Sequence, residues 1–174
     1  MNYRLDNKKG FTLIELMVVI SIIALISSVI IASLTTARYR AQDTKKIAEA
    51  KSIANALELY YSENKRYPNP DYDGCGGWDI GNRTYPLLGG TSGALGKFIS
   101  DPRDQSSTDS CTGYFYYRYP AGNSGCDASR GAFYVIGIRP MKSQSATHPQ
   151  SPGWSCPGRN WQGEFSWVMG NFEN

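Results

Sequence analysis

Between Phe11 and Leu34 the chain runs for 24 residues, FTLIELMVVISIIALISSVIIASL, with a single charged side chain, Glu15. As an α-helix rising ~1.5 Å per residue, a run of this length crosses a hydrocarbon core of ~30 Å. A cleaved secretory signal does not fit, because its apolar region is only about 7–15 residues and ends at a small-residue cut site. A plain single-pass anchor fits the length but not Glu15. An ionised carboxylate inside a membrane helix costs on the order of 2.5–3.5 kcal/mol, so such a residue has a partner or a function.

The partner is readable in what precedes the run. The start MNYRLDNKKG is short and basic and ends in Gly10. A cut between Gly10 and Phe11 creates an amine one helical turn from Glu15, available within the subunit or to a neighbour's carboxylate. Glycine before the cut suits a protease that must bring backbone close to its catalytic groups, since no Cβ obstructs it. The residues KKG-FTLIE resemble the prepilin cleavage and methylation motif of type IV pilin-like proteins and type II secretion pseudopilins. The resemblance implies cleavage at Gly10–Phe11 by a membrane prepilin peptidase, N-methylation of Phe11, and a role for Glu15 in assembly with copies of itself and other pilin-like subunits. It also implies an assembly platform protein and an ATPase as further partners.

No glycine or proline occurs from Phe11 to Asn64. Beyond the apolar run, Ile47, Ala50, Ile53 or Ala54, Leu57, and Tyr60 or Tyr61 recur in steps of three and four, which makes one apolar stripe. Lys45, Lys46, Glu49, Lys51, Glu58 and Glu63 fall mostly off it. The spacing predicts a continuous helix that buries its stripe against the protein's own head rather than against a coiled-coil partner, and Asn64 before Tyr67-Pro68 predicts its end. A helix apolar in front and amphipathic behind resembles the "lollipop" of pilins and pseudopilins. Many relatives carry a glycine and a proline in the apolar half; Ala24 and Ala32 stand there in this chain, so no unwinding is expected.

After Pro68 the chain reads as turns and short strands. Tyr114–Tyr119 and Ala132–Ile138 are the best strand candidates, with Ala121–Gly131 turning the chain back and a third strand near Phe165–Met169. The expected fold is α+β: a long N-terminal helix packed on a small antiparallel sheet. The expected divisions are 1–10 leader, 11–36 membrane or filament-core helix, 37–64 amphipathic continuation and 65–174 head. Leu95 to Pro102, followed by an aromatic strand, resembles the major pseudopilin's approach to its first strand.

All four cysteines, Cys75, Cys111, Cys126 and Cys156, fall in the head. An even count there predicts two disulfides, and bracketing of the first strand favours Cys111–Cys126 with Cys75–Cys156. Spacings without a close Cys-x₂₋₄-Cys knuckle argue against zinc. Calcium is implied by the resemblance, but the segment Arg139–Gln144 is basic and lacks the carboxylates a hard oxygen site needs. Two acidic groups, Asp71/Asp73/Asp79 and Asp101/Asp104/Asp109, read as solvated turns. The expectation is no metal and no cofactor.

Charge narrows the function further. The chain carries 18 basic and 15 acidic residues, a formal +3, and losing the leader lowers this to +1. That is too little for a domain that lives by gripping phosphates along a nucleic acid. His148 is the only histidine, and no G-x-S-x-G elbow, phosphate loop or metal-binding helix motif occurs, so an enzyme is not expected and no catalytic residue is assigned. The Lys/Arg count beside the apolar run, Arg4, Lys8 and Lys9 before it against Arg38, Arg40, Lys45, Lys46 and Lys51 after it, does not by itself put the N-terminus in the cytoplasm. Long trailing domains translocate largely regardless of charge, and the cysteines and leader place the head outside a bacterial cell membrane. The expected function is a structural filament subunit, of a type IV pilus-like filament or a type II secretion pseudopilus. The alternatives are a minor or tip subunit whose Trp78, Trp154, Trp161 and Trp167 hold a surface, glycan or DNA, and an anchored domain that never polymerises.

Overall fold

A computed structural model of the chain describes residues 10–70, 75–80, 94–96, 112–143 and 146–174. Asp71, Asp73, residues 97–102, Asp104, Asp109, Cys111, Gln144 and the leader before Gly10 lie outside the described residues. The chain divides into two units, one ending at Tyr39 and one running from Arg40 to Asn174.

One helix, α1 (Leu13–Asn64, 52 residues), carries the first third of the chain without a break. At ~1.5 Å per residue it is roughly 78 Å long. Ala24 and Ala32 lie inside it, as expected of residues that neither remove a hydrogen bond nor loosen the backbone. The helix stops where Lys65 takes a left-handed φ of 56°. The Lys65 amide still reaches the Tyr61 carbonyl at 2.8 Å, closing the last turn.

The strands are β1 (Asp79–Ile80), β2 (Gly113–Tyr119), β3 (Phe133–Arg139), β4 (Ser155–Cys156), β5 (Arg159–Asn160) and β6 (Trp167–Phe172). Four of them form an antiparallel sheet in the order β1-β2-β3-β6, and β4 and β5 form a separate hairpin. Tyr116 lies opposite Ile136, and Ile136 opposite Met169. The three expected strands are all present. The third begins later than expected because the turn Trp161–Gly163 holds the Phe165 amide on the Trp161 carbonyl at 3.1 Å.

Alternation along β2 and β3 sends side chains to two cores. On one face Tyr114, Tyr116, Tyr134, Ile136, Ile138 and Trp167 meet Ile47, Ala50, Ile53, Ala54 and Leu57 of α1, with Leu95 and Met141 filling the margins. The apolar stripe of α1 is thus buried on its own head, each of Ile47, Ile53 and Leu57 contributing on the order of 1.5–3 kcal/mol. On the other face Phe115, Phe133, Val135 and Val168 are covered by Trp78, Trp161, Phe165 and Phe172. Trp78 meets Phe165 edge-on at 5.0 Å, and the Trp161 indole N–H donates to the Tyr119 hydroxyl at 3.2 Å. Three of the four tryptophans, Trp78, Trp161 and Trp167, are therefore core residues rather than a displayed aromatic platform.

Carboxylates on α1 add a polar seam beside the apolar stripe. Asp43 is fully buried, and its two oxygens accept the amides of Lys142 and Ser143 at 2.7 Å each. Burial alone pushes the Asp43 carboxyl up, but the Ser143 side chain and the two amides outweigh it, and the net shift is downward. The segment after β3, where the resemblance would place calcium ligands, thus turns hydrogen-bond donors toward an anion. Glu49 accepts the Tyr114 hydroxyl. Glu58 Oε1 accepts the Tyr67 hydroxyl and the Asn171 amide, both at 3.0 Å. At the far end, Glu173 takes Arg118 in a fork of 2.8 and 2.9 Å and the Tyr67 amide at 2.8 Å, tying the exit of α1 to the sheet.

The expected disulfide pairing is corrected. Cys126 is bonded to Cys156, with Cα atoms 5.0 Å apart, which excludes both Cys111–Cys126 and Cys75–Cys156. Bracketing a strand in sequence places two residues at its opposite ends, and the seven residues of β2 span about 20 Å. Cys126, in the β2–β3 turn, instead faces the β4–β5 hairpin, where the Gly158 amide donates to the Ser124 carbonyl at 2.8 Å.

Peptide mapping of the unreduced chain is expected to recover a fragment joining Cys126 to Cys156; one joining Cys111 to Cys126 would contradict the fold. Phe165 lies directly over Gly137 of β3, where a Cβ has no room. Gly137→Ala should therefore destabilise the chain by about 1–3 kcal/mol in denaturant unfolding. Asp43→Ala strands two amide donors and should cost roughly 1–3 kcal/mol at neutral pH. Because the folded-state pKa of Asp43 is depressed, its contribution is present above about pH 4 and is lost as pH falls through the folded value. The variant should accordingly lose less stability than the parent between about pH 5 and pH 3, and parallel pH profiles would refute this role.

Candidate processing and assembly site

The site is built from the first residues of α1. Gly10 and Phe11 precede the helix, and both are exposed, with the Phe11 side chain 91% accessible. Among the described residues nothing lies within 4 Å of the position a Cβ would take at Gly10, so the Gly10–Phe11 peptide bond is open from that side.

Thr12 and Glu15 start the helix together. The Thr12 amide and hydroxyl both donate to Glu15 Oε2, at 2.8 and 2.7 Å, and the Glu15 amide returns a bond to the Thr12 hydroxyl at 3.3 Å. With Leu13 as the first helical residue, this is a capping box, the reciprocal Thr-x-x-Glu arrangement that satisfies orphan amides of the first turn. The carboxylate also sits at the positive end of the helix dipole, which favours its charge. Among the described residues no donor occupies Glu15 Oε1, so one oxygen of this carboxylate remains for an incoming cation. Thr12 is a residue that the sequence reading passed over, although the spacing Thr12–Glu15 was visible in it.

From Leu13 to Leu34 the large apolar side chains are exposed among the described residues, Leu13, Ile14, Leu25, Val29 and Ile31 the most. Among the described residues α1 is the one helix long and apolar enough to cross a membrane. Two serines in this stretch hide their hydroxyls on the helix itself: Ser21 donates to the Met17 carbonyl at 2.8 Å and Ser28 to the Leu25 carbonyl at 2.7 Å. Such back-bonding lets hydroxyls enter an apolar medium without an unmade hydrogen bond. Glu15 is the one ionisable group left on the surface of this segment.

His148, the lone histidine, lies in a loop and uses Nδ1 to accept the Gln150 amide at 3.2 Å. Among the described residues no group of three or more His, Cys, Asp or Glu side chains is placed to hold a metal ion. Arg159 and Glu164 form a bidentate pair at 2.7 Å, and Arg159 lies over the Trp161 ring, so this charged pair serves the second core.

Comparison with known proteins places the same residues in context. Residues 5–31 match the family of the prokaryotic N-terminal methylation motif. The chain is 46% identical over 61 residues to the type IV wide pilus major component PilA4 of Thermus thermophilus, covering 35% of this chain and 47% of that protein. It is 36% identical over 63 residues to the type II secretion system core protein G of Escherichia coli, covering 36% of this chain and 43% of the relative. The corresponding protein of Vibrio cholerae is 31% identical over 68 residues, 39% of this chain and 47% of the relative. The chain thus spans less than half the length of the curated relatives it matches. No solved structure matches it. The chain carries the prokaryotic N-terminal methylation motif at residues 5–31 and, over little more than a third of its length, is similar to a major component of a type IV pilus and to core protein G of type II secretion systems.

Proposed function

We propose that the chain is a structural subunit of an envelope filament, either a type IV pilus-like fibre or a type II secretion pseudopilus. Residues 1–10 are its leader, 11–36 its membrane and filament-core segment, 37–64 the continuation of the helix, and 65–174 the head. A prepilin peptidase cuts between Gly10 and Phe11 and the new Phe11 amine is methylated. The precursor is a single-pass protein of a bacterial cell membrane with its head outside. Copies of the chain and other pilin-like subunits then bundle through their apolar helices, driven by an assembly platform and ATPase.

The observation that carries this reading is the state of Glu15. It is the single ionised group in an uncovered apolar helix. Oε2 is held by Thr12, while Oε1 has no donor among the described residues. Helices that pack in an apolar bundle gain little from choosing one axial offset over another by apolar contact alone. A carboxylate meeting a neighbour's Phe11 amine selects one offset, because every other offset leaves that amine and Glu15 Oε1 unmatched in a medium of low dielectric. A structural role also agrees with the head, whose aromatics are spent on two cores. The reading of that head as an aromatic binding platform loses Trp78, Trp161 and Trp167. No catalytic role, metal or cofactor is assigned.

Glu15→Ala keeps the apolar helix and removes the charge. It should insert into membranes like the parent and lower recovery of sheared filaments by at least about ten-fold, the equilibrium cost of one lost charge-assisted contact of ~1.4 kcal/mol per subunit. Normal filament yield with normal insertion would remove the assembly role.

A further inference from the structure

We infer that a cleft beside the start of the second unit holds the phosphate of an anionic phospholipid headgroup; this rests on the membrane-anchored stage of the proposed function. The cleft, about 430 Å³, is lined by Arg40 and Thr44 of α1 and by Ser143, His148, Pro149 and Gln150. Its polar groups are donors or able to donate. The Arg40 guanidinium has no ion pair or side-chain hydrogen bond among the described residues. In neutral His148, Nδ1 accepts the Gln150 amide, which puts the proton on Nε2 as a donor. The lining residues include no carboxylate; the nearest acid, Asp43, accepts the amides of Lys142 and Ser143, and its charge acts on His148.

Charge placement favours a lipid over a second protein chain. Residues 38–51 hold five basic side chains, Arg38, Arg40, Lys45, Lys46 and Lys51, against Asp43 and Glu49. Both acids accept hydrogen bonds from the head, Asp43 from two amides and Glu49 from Tyr114. The exposed Lys142 adds a further cation. This cluster begins four residues after the apolar run ends at Leu34, the arrangement by which juxtamembrane segments engage anionic headgroups. It is also the group of charges that the orientation rule leaves unexplained. Among the described residues of the head, the carboxylates a second copy could offer are already engaged. Glu164 is engaged by Arg159, Glu173 by Arg118, Glu58 by Tyr67 and Asn171, and Asp127 by Ser129.

The test uses the ¹⁵N-labelled full chain in maltoside micelles, titrated separately with short-chain phosphatidylglycerol, short-chain phosphatidylcholine and inorganic phosphate. Phosphatidylglycerol should produce saturable shifts of the Ser143, His148 and Gln150 amides, with the other two far weaker. Arg40→Gln should raise the half-saturating lipid concentration about ten-fold, as expected for one lost charge-assisted bond, and His148→Gln should raise it by less. A dispersed spectrum of each variant shows that it has folded. Equal response to phosphatidylcholine, saturation by inorganic phosphate at the same concentration, or unchanged binding by both variants would overturn the proposal. So would the same shifts appearing with rising protein concentration and no lipid, which would place a second copy in the cleft. Filament yield is not read here, so a negative result leaves the assembly role standing.

Discussion

The back half of α1 seals one face of the sheet, and most of the head depends on that contact. Ile47, Ala50, Ile53 and Leu57 supply the apolar surface that Tyr116, Tyr134, Ile136 and Ile138 need on one side of β2 and β3. Small residues at Ala50 and Ala54 let the aromatic rings approach the helix closely. The seam of Asp43, Glu49 and Glu58 then fixes rotation and register, because each carboxylate meets donors that exist at one place on the head. Apolar contact supplies the bulk of the energy, and the hydrogen bonds choose among docked arrangements that apolar contact alone would leave nearly equivalent.

Among the described residues the large apolar side chains of 13–34 are exposed, and this division of labour along α1 is the physical basis of the functional reading. A soluble protein does not leave more than a dozen large aliphatic side chains in water. Such a segment needs an apolar medium, and the proposed function supplies two, a bilayer and then the packed helices of neighbouring subunits. In either medium a carboxylate must be neutralised or bonded. Thr12 supplies a local solution through the capping box, and in the proposed filament a neighbour's amine would supply a more specific one.

Legibility in the sequence followed the strength of local signals. Continuity of α1 was readable because no glycine or proline interrupts it, and its buried face because Ile47, Ala50, Ile53 and Leu57 keep helical spacing. Strands β2 and β3 announced themselves through aromatic and β-branched residues. Strands β1, β4 and β5, of two residues each, are too short to carry any period. The Cys126–Cys156 bridge was missed because spacing along the chain says nothing about which turn lies beside which hairpin; the second aromatic core makes that choice. Asp43 was missed for a related reason. A lone aspartate among Arg38, Arg40, Lys45 and Lys46 looks like a solvated helix residue until the segment after β3 brings two amides to it. The Thr12–Glu15 box needed no tertiary information and was visible as Thr-x-x-Glu.

The account's central claim is that the uncovered helix becomes a filament core through a processed N-terminus. The most direct measurement is the intact mass of the chain recovered from sheared, purified filaments. The account predicts a species beginning at Phe11 with one added methyl group and no trace of the leader. A filament fraction whose chains still carry Met1–Gly10, or filaments from the same cells that lack the chain altogether, would contradict it.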